Sequence, residues 1–312
     1  MTDITCIGEV LIDLTQTGTN AHGVPQFSAN PGGAPANVAV AASRLGARTA
    51  FIGKTGRDGF GAYLRRVLEE NRVAADGLRT SDTPTTMAIV SVSESGERDF
   101  RFVRGADSEL APEELDEGSI ASTKILHFGS VSLTGGAARS ATIAAARAAR
   151  RAGVLVSYDP NYRASLWPSE AEAVEWMRTP LSLVDVMKLA EEELELLTGT
   201  SDLEEGSRIL EERGISLVLV TLGGDGAFCR WQGETFTVPG VKTQVADTNG
   251  AGDTFFGAVL SRLALRGDHP LDGLTAQELR GIVAFSNRAA SLTCSRSGAI
   301  PAMPTLDEVE SL

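Results

Sequence analysis

The sequence predicts an α/β fold, a three-layer αβα sandwich in which helices cover both faces of a mostly parallel central sheet. Apolar, β-rich runs alternate with Ala- and Leu-rich segments of helical periodicity over most of the 312 residues. Because this alternation implies right-handed crossovers between parallel strands, ligands are expected outside the carboxyl ends of these strands. One region, Thr85–Val103, follows a period of two instead and predicts a separate hairpin.

The elements of the main sheet follow in chain order. Buried strands are predicted at Ile4–Leu14, Thr49–Ile52, Ile125–Phe128, Val154–Tyr158, Val184–Leu189 and Leu217–Leu222, and helices at Ala36–Leu45, Tyr63–Glu70, Ala138–Ala152 and Leu203–Arg213. Three segments have the spacing of capping boxes, which predicts that helices begin there. They are Ser169-x-x-Glu172, Ser201-x-x-Glu204 and Thr275-x-x-Glu278.

The hairpin predicts a small second sheet. Thr85–Ser93 alternates as TTMAIVSVS, Ser95-Gly96 makes a turn, and Asp99–Val103 continues as DFRFV. Thr15–Asn30 has few helix signals and could add an extended segment. We expect residues 14–31 and 84–105, approximately, to form a β-sheet lid within a single domain spanning 1–312. An edge extension of the main sheet is the alternative.

Composition argues against several classes of protein. A net charge of −13 and a pI near 4.8 disfavour a nucleic-acid partner, which requires a basic face. No run of about eighteen apolar residues is present, so no membrane span is expected. The N-terminus lacks the basic and apolar regions of a signal peptide. The scattered cysteines Cys6, Cys229 and Cys294 are typical of free thiols in a reducing compartment, which predicts a cytoplasmic protein.

A Gly-rich turn followed by an acidic residue carries the strongest chemical signal. In Asp247-Thr-Asn-Gly-Ala-Gly-Asp253-Thr-Phe-Phe-Gly-Ala258, the small residues Gly250, Ala251 and Gly252 let backbone N–H groups close on an anion where a helix is predicted to begin. A carboxylate beside a bound anion is destabilised by charge repulsion. Its presence there therefore indicates a chemical role. Taking a proton from an attacking hydroxyl, beside donors that hold a phosphoryl group, explains both features. A plain N-cap Asp is the alternative.

A second Gly-rich segment lies near the N-terminus. Pro31-Gly-Gly-Ala-Pro-Ala-Asn-Val-Ala-Val-Ala-Ala-Ser-Arg-Leu-Gly46 places Gly32 and Gly33 just before a helix, where glycine permits close approach to a ligand. Asn37 falls in the first turn, where its amide can both donate to and accept from a sugar hydroxyl. Asp13 ends an apolar strand, and two sugar hydroxyls would satisfy its carboxylate. A packed helix entry and a turn Asp are the alternatives.

Together, GGAPANVAVAASRLG and DTNGAGDTFFGA resemble the two signatures of the ribokinase-like (PfkB) carbohydrate kinases, and the resemblance covers essentially the whole chain. Four further stretches resemble bacterial fructokinases most closely. They are Ile52-Gly-Lys-Thr-Gly56, His127-Phe-Gly-Ser-Val-Ser-Leu133, Asp159-Pro-Asn-Tyr-Arg-Ala-Ser-Leu-Trp167 and Lys188-Leu-Ala-Glu-Glu-Glu193. The resemblance implies a ribokinase-like fold and a kinase that transfers phosphate from ATP to the terminal hydroxyl of a sugar.

The resemblance also implies roles for individual residues. Asp253 would deprotonate the sugar hydroxyl, and Gly250, Ala251 and Gly252 would form the anion hole. The sugar would be held by Asp13, Gly32, Gly33 and Asn37. The nucleotide side would comprise Lys188, Glu193 and the loop Thr221-Leu-Gly-Gly-Asp-Gly226, with Thr221, Gly223, Gly224 and Gly226 along the ribose and phosphates and Asn287 at the adenine.

Two kinds of metal ion follow from the resemblance. Glu193 matches the Glu of the family's Asn-x-x-Glu arrangement, which organises water around Mg²⁺, whereas Ala190 stands where Asn is common. Mg²⁺ is expected in any case, because the charge of the triphosphate must be partly neutralised for transfer. A monovalent cation, K⁺, would lie beside the anion hole, held mostly by backbone groups of Asp247, Asn249, Thr293, Arg296 and Gly298.

Substrate choice depends on two arginines. Arg104 and Arg163 resemble positions that face the sugar in fructokinases, and also those that clasp the carboxylate of 2-keto-3-deoxygluconate in its kinases. Phe100 and Phe102 would form an apolar wall, and the scarcity of hydroxyl donors there favours fructose. A 2-keto-3-deoxygluconate kinase is the alternative, and a riboside kinase a more distant one.

The sequence disfavours two other classes of protein. A catalytically inactive sugar or nucleotide sensor is disfavoured by the intact Asp253 and Gly-Ala-Gly turn. A dinucleotide-binding dehydrogenase would need a Gly-x-Gly-x-x-Gly after the first strand, which Ile7-Gly-Glu-Val-Leu-Ile does not provide. The edge of the lid is expected to pair with a second copy in a homodimer, because an unpaired strand edge invites another strand.

Overall fold

A computed structural model describes residues 2–92 and 98–312, and for residues 91, 92 and 98–100 it describes the backbone alone. The turn predicted at Ser95-Gly96 lies outside the described residues. The strands are β1 (Thr2–Ile7), β2 (Leu11–Thr19), β3 (Pro25–Gly32), β4 (Thr49–Gly56), β5 (Val73–Ser81), β6 (Met87–Val92), β7 (Arg98–Val103), β8 (Thr123–Gly129), β9 (Leu155–Asp159), β10 (Val186–Ala190), β11 (Leu217–Thr221), β12 (Ala227–Trp231) and β13 (Glu234–Val238).

The helices connect and cover these strands. They are α1 (Ala34–Arg44), α2 (Gly59–Glu70), α3 (Glu117–Ala121), α4 (Gly136–Arg151), α5 (Glu170–Arg178), α6 (Glu191–Thr198), α7 (Leu203–Glu211), α8 (Ala251–Ala264), α9 (Ala276–Cys294) and α10 (Leu306–Glu310). Short 3₁₀ turns occupy several of the links, among them Ala164–Leu166.

The large sheet is mostly parallel. Within the described ranges its strand order is β13-β12-β11-β10-β9-β8-β1-β4-β5. The pairs from β11 to β5 are parallel, and β12 and β13 join antiparallel at one end. The carboxyl ends of the parallel strands therefore lie along one edge, where binding loops collect in such sheets.

Alternate side chains of each central strand enter two different cores. Leu217 and Leu219 pack with residues of α1, α2, α8 and α9 on one face. Val218 and Val220 pack with residues of α4, α5, α6 and α7 on the other face. Burial on both faces explains the continuous apolar runs of the sequence, and the predicted three-layer α/β fold is confirmed.

A small sheet of order β3-β2-β6-β7 is formed by the remaining strands. β6 and β7 pair antiparallel, as the period-two pattern predicted, and β2 pairs antiparallel with β3 and parallel with β6. The prediction of one strand over Ile4–Leu14 was wrong. The chain leaves the large sheet after Ile7 and enters the small sheet at Leu11. Because the link is only three residues long, Gly8-Glu9-Val10, and lies between two apolar runs, the sequence does not mark the change.

Two of the three helix starts predicted from capping boxes were confirmed, and the third was wrong. Ser169 and Thr275 accept hydrogen bonds from the N–H groups of Glu172 and Glu278, as expected of N-caps. The capping box at Ser201 was wrong by one residue, because Asp202 accepts from the N–H of Glu205 instead. Strands β5, β12 and β13 were not predicted. In the described chain no helix is both long enough and apolar enough to span a bilayer.

Candidate active site

Asp253 lies in the first turn of α8, close to the carboxyl edge of the large sheet. Gly250 precedes the helix in the left-handed conformation, with φ of 76°, so that the chain turns sharply into α8. The carboxylate of Asp253 is buried and held by two amides. Asn37 Nδ2 donates to Oδ2 at 2.8 Å, and Asn161 Nδ2 donates to Oδ1 at 3.3 Å. Both oxygens therefore have a fixed orientation.

The surroundings of this carboxylate favour its protonated form. Burial, followed by the charge of Asp159, raises the pKa of Asp253 to about 6, against the lowering effects of Asn37, Lys188 and Arg163. Burial also raises the pKa of Asp13 to about 6, with Arg163 opposing and Asp253 adding to the rise. Asp13 and Asp253 thus belong to one electrostatic cluster. A carboxyl group that titrates near neutrality is suited to accepting a proton.

A buried ammonium group flanks the Gly-rich turn. Lys188 projects from β10, and its Nζ lies 3.0 Å from Asp159 Oδ2. A Cβ added at Gly252 would lie only 3.1 Å from that Nζ, so glycine leaves room for the ammonium beside the helix N-terminus. Burial disfavours the charge of Lys188, but Asp159, Glu193 and Asp253 outweigh it and its pKa is raised. Positive charge and the N–H groups of the helix start therefore converge where an anion would bind, although the N–H of Ala251 also donates to Thr248 O at 3.3 Å.

The predicted sugar-binding residues meet at one place. The residue Gly33 has φ of 106°, and a Cβ there would lie 2.5 Å from the backbone oxygen of Glu9. A Cβ at Gly32 would lie 2.2 Å from Asp13 Oδ2, so the carboxylate of Asp13 rests against this turn. Asn37 gives its amide hydrogen to Asp253, and its Oδ1 is buried without a partner among the described residues. That oxygen is an acceptor suited to a hydroxyl group.

The small sheet turns one face toward this cluster. Asp13 pairs with Ala88, and Ala88 pairs with Phe102, so the three residues share a face. Phe102 is half-buried, and Phe100 lies two residues earlier on β7 with its side chain outside the described part. Arg163 is exposed, and its charge lowers the pKa of both Asp13 and Asp253. The face of the small sheet that carries Asp13 and Phe102 therefore borders the charged cluster of Asp13, Asp253 and Arg163.

The guanidinium of Arg104 is already engaged by the protein. It pairs with Asp107 at 2.9 Å between Nη2 and Oδ2, and its Nη1 donates to Val131 O and Thr134 Oγ1 at 3.2 and 2.8 Å. Arg163 has a looser setting, since its Nη1 donates to the adjacent backbone oxygen of Tyr162 at 3.0 Å. Only Arg163 of this pair keeps most of its donors for a ligand.

Of the predicted nucleotide-binding residues, the Gly-rich loop and Asn287 pack on the segment of residues 238–240. Thr221 ends β11, and its hydroxyl donates to Leu189 O at 3.2 Å. The loop containing Gly223, Gly224 and Gly226 packs on residues 238–240, since a Cβ at Gly226 would lie 2.1 Å from Val238 O. Asn287 holds the same segment through Val238 O and Pro239 O, at 3.1 and 3.0 Å. Its amide hydrogens are thus engaged by the backbone rather than directed to solvent.

Glu193 has a geometry that fits indirect contact with a divalent cation. Its two carboxylate oxygens accept the backbone N–H groups of Tyr162 and Ala190, at 2.6 and 2.8 Å. Each oxygen keeps a lone pair that can accept a hydrogen bond from water on a metal ion. The carboxylate also lies within the field of Asp159 and Lys188. Its oxygen chemistry suits Mg²⁺.

The residues predicted for the monovalent cation form one loop pair. The carboxylate of Asp247 accepts N–H groups from Asn249 and Gly298, both at 3.1 Å, and thereby joins two segments. Thr293 hydrogen-bonds Thr254 of α8 at 3.0 Å, whereas the side chain of Arg296 pairs with Glu308 at 2.6 Å. Asp247 therefore connects the segment before α8 to the segment after α9, where the monovalent cation was predicted.

Two residues of the site were missed by the sequence reasoning. Asp159 and Asn161 were included in a stretch that resembles fructokinases but were given no role. Asn161 contacts Asp253, and Asp159 contacts Lys188. The available signal was the one used for Asp13: a polar residue directly after an apolar strand that ends at the binding edge.

A buried carboxylate, a helix N-terminus and an ammonium that converge on one cleft define a phosphotransferase site. The pfkB family carbohydrate kinase model matches residues 1–306, and the chain belongs to that family. The chain is 40% identical to fructokinase-2 of Solanum habrochaites, over 99% of this chain and 95% of the relative. Its identity to "Probable fructokinase-6, chloroplastic" of Arabidopsis thaliana is 43%, over 98% of this chain and 81% of the relative.

Solved structures agree with this assignment. Fructokinase from Xylella fastidiosa with bound ATP superposes with a TM-score of 0.90 and 32% identity, over 99% of this chain and 97% of that chain. Fructokinase from Vibrio cholerae in fructose, ADP and calcium ion bound form gives a TM-score of 0.88 and 33% identity, over 100% and 98% of the two chains. A double mutant of that enzyme was solved with fructose, ADP and potassium ion. The protein is a carbohydrate kinase.

Proposed function

We propose that this carbohydrate kinase is a fructokinase that transfers the γ-phosphoryl group of ATP to the 6-hydroxyl of fructose. The observation that carries the proposal is the position of Asp253. Its carboxylate touches Asn37 of the sugar-side segment and lies at the helix N-terminus where Gly252 meets Lys188. A base between an alcohol site and a phosphoryl site is what this reaction requires.

Each group of residues in the site has its own role in the proposed phosphoryl transfer. Asp253 accepts the proton of the attacking hydroxyl while the new oxygen–phosphorus bond forms and the bond to the leaving ADP breaks. The N–H groups of Gly250, Ala251 and Gly252, with Lys188, stabilise charge on the transferring group. Asp13, Asn37 and the Gly32-Gly33 turn orient the sugar. The Oδ1 of Asn37, which has no partner in the described part of the chain, accepts from one of its hydroxyls. Positioning, rather than covalent chemistry, supplies the rate.

Metal ions complete the proposal. Glu193 would hold Mg²⁺ through water, and the ion would neutralise phosphate charge. The loop pair of Asp247, Asn249, Thr293, Arg296 and Gly298 would hold K⁺ through backbone oxygens and so order the turn before Asp253. One related fructokinase structure contains a calcium ion and another a potassium ion, which supports a divalent and a monovalent cation in the reaction.

The state of Arg104 favours fructose over 2-keto-3-deoxygluconate. A substrate carboxylate would compete with Asp107 for that guanidinium, and Asp107 is buried and fixed in place. Fructose has no carboxylate and would not compete with Asp107 for the Arg104 guanidinium, because a neutral hydroxyl needs only a single donor or acceptor. Arg163 and the wall of Phe100 and Phe102 would then complete the sugar pocket.

The small sheet is proposed to act as a lid over the sugar and as the contact of a homodimer. Phe27 and Val103, on its other face, are 44% and 47% exposed, which supports a partner there. β7 and β3 form the two edges of this sheet, and an open edge can pair with a second copy. A cytoplasmic location belongs to the same proposal.

A panel of phosphoryl acceptors tests the proposed function. The purified protein with ATP, Mg²⁺ and K⁺ is assayed for ADP release on fructose, 2-keto-3-deoxygluconate and aminoimidazole riboside, with ATP alone as the baseline. We expect fructose to give the highest kcat/KM and the product to be the 6-phosphate by ³¹P NMR. Turnover of the keto-deoxy acid alone would overturn the choice of fructose.

A further inference from the structure

Asp159 makes two contacts that join the two halves of the active site. It is the last residue of β9 and is 1% exposed. Its Oδ2 accepts from Lys188 Nζ at 3.0 Å, and its Oδ1 accepts from the backbone N–H of Asn161 at 3.1 Å. Lys188 lies beside Gly252, and Asn161 donates to the base Asp253.

The second contact enforces an uncommon backbone conformation. Asn161 has φ of 44°, in the left-handed region, one of three non-glycine residues with positive φ in the described part of the chain. The side chain of Asp159 closes this turn from two residues earlier, and Asn tolerates the conformation better than most residues. A backbone outlier held in this way at a reactive group motivates a functional hypothesis.

We propose that Asp159 is a positioning residue for phosphoryl transfer, which fixes Lys188 at the phosphoryl pocket and Asn161 at the base through a single carboxylate. This inference rests on the proposed kinase function and deepens it. One side chain sets the distance between the ammonium that stabilises the transferring group and the amide that orients Asp253. Displacing Asp159 therefore disturbs both groups at the reacting atoms while leaving the sugar-side contact of Asn37 intact.

The charged surroundings make this role measurable. The groups that face the cluster from the packed elements are Asp13 on β2, His127 on β8, Asp159 on β9, Arg163 after β9, Lys188 on β10, Glu193 on α6 and Asp253 on α8. Burial lowers the pKa of His127 to about 4, so this ring stays neutral near pH 7. The charge of Asp159 raises the pKa of Asp253. Removing that charge therefore moves the titration of the base to lower pH.

The substitution Asp159→Asn separates this role from a structural one. It keeps an acceptor for the Asn161 N–H and replaces the acceptor of Lys188 with a donor. We expect kcat on the best sugar to fall about 100-fold, as for the loss of one electrostatic contact to a transferring group. We expect KM for the sugar to change much less, and the acid limb of kcat/KM to move down by roughly one pH unit.

Asp185→Asn is the matched control. Asp185 also accepts a backbone N–H with one oxygen, from Val156 at 2.8 Å, and a cation with the other, from Arg150. It precedes β10 at the opposite end of the strands, far from the cleft. This variant can lose thermal stability, but its kcat and its pH profile should match those of the wild type.

A second variant covers the case in which Asp159→Asn does not fold. Asn161→Gly tolerates the left-handed backbone and removes only the amide that contacts Asp253, so kcat should fall with KM for ATP preserved. If both Asp159→Asn and Asn161→Gly keep the wild-type kcat and pH profile, the positioning role is overturned and the kinase proposal stands. If Asp159→Asn is unfolded, a wild-type kcat in Asn161→Gly overturns the positioning role by itself. A wild-type protein inactive on every sugar would overturn the kinase proposal as well.

Discussion

At the scale of single residues, the pKa of Asp253 is set by the opposing effects of burial and hydrogen bonding. Burial and the charge of Asp159 favour its neutral form, and the donated amide of Asn37 favours its charged form. The outcome, a pKa of about 6 for Asp253, leaves the group mostly ionised at pH 7 and able to accept a proton. A fully solvated Asp would be a weaker base for the same task.

This residue gives a prediction for the pH dependence of the reaction. Because only ionised Asp253 accepts the proton, kcat/KM for the sugar should fall as the pH decreases through about 6. Steady-state rates between pH 5 and pH 8, with ATP and Mg²⁺ saturating at each pH, provide the measurement. Asp13 titrates in the same range, so the limb is expected to be steeper than that of a single group. A flat profile down to pH 5 would contradict the assignment.

At this scale, the sequence predicted the joint role of residues that are adjacent in the chain and missed contacts between distant residues. Gly250, Ala251, Gly252 and Asp253 are adjacent in the chain, so their joint chemistry could be predicted from spacing alone. The contact of Asp253 with Asn161 joins residues 92 positions apart through the order of strands, and no local pattern encodes it. The engagement of Arg104 by Asp107 was likewise hidden, because an i,i+3 pair outside a helix has no fixed geometry.

At the scale of elements, the N-terminus of α8 combines three sources of positive potential. They are the helix dipole, the free N–H groups of the first turn and the ammonium of Lys188. Gly252 is the position at which these approach most closely, because any side chain there would meet the ammonium. The element therefore depends on glycine for space rather than for helix formation.

Gly252→Ala should separate activity from stability. Alanine favours the helix by about 1 kcal/mol over glycine, so Tm should not fall, whereas a Cβ 3.1 Å from Lys188 Nζ displaces that ammonium. We expect kcat to decrease at least about tenfold, as measured with calorimetry and turnover side by side. Gly281→Ala is the control, since this residue lies within α9 and its added Cβ meets nothing within 4 Å. Equal activity of the two variants would argue against the role of Lys188.

Strands in the interior of the large sheet were predicted, whereas the strands at its two ends were missed. The central strands β8 to β11 are buried on both faces, and their apolar runs identified them. β5 lies at the edge of the sheet with alternate residues exposed, and β12 and β13 form a hairpin whose turn, Gln232-Gly233, is not a strong turn signal. Of the missed strands, β5 and β13 have a solvated side, whereas β12 is buried throughout and was missed because no strong turn signal separates it from β13.

At the scale of the whole molecule, the two sheets are joined by the links before β2, after β3, before β6 and after β7. Glu9 lies in the first of these links, 2% exposed, and its Oε1 accepts the N–H of Ala34 at 3.1 Å. Its Oε2 has no partner among the described residues. Burial, with Asp107 adding, raises the pKa of Glu9 from 4.5 to about 8. The ionised form is therefore a cost to the fold.

The sign of this effect gives a prediction for stability. The folded state holds the Glu9 proton more tightly than the unfolded state does, so this contribution decreases as the pH rises from about 4.5 to about 8. Glu9→Gln removes it, and Tm of the variant relative to the wild type should rise between pH 5 and pH 8. Asp3→Asn is the control, because contacts with Arg48 and Lys124 lower the pKa of Asp3 despite its burial. Asp3 is therefore ionised in the folded and unfolded states above pH 5, and the Tm difference of this variant should stay constant between pH 5 and pH 8. A pH-independent Tm difference for Glu9→Gln would contradict the argument.

The central claim is that the carboxylate of Asp253 activates an alcohol for phosphoryl transfer, and Asp253→Asn tests it most directly. The amide preserves size but cannot take up the proton, so kcat with fructose and ATP should fall by about a thousandfold. Unchanged circular dichroism and ATP binding would show that the fold and the nucleotide site are retained. Turnover by Asp253→Asn within about tenfold of the wild type would contradict the account.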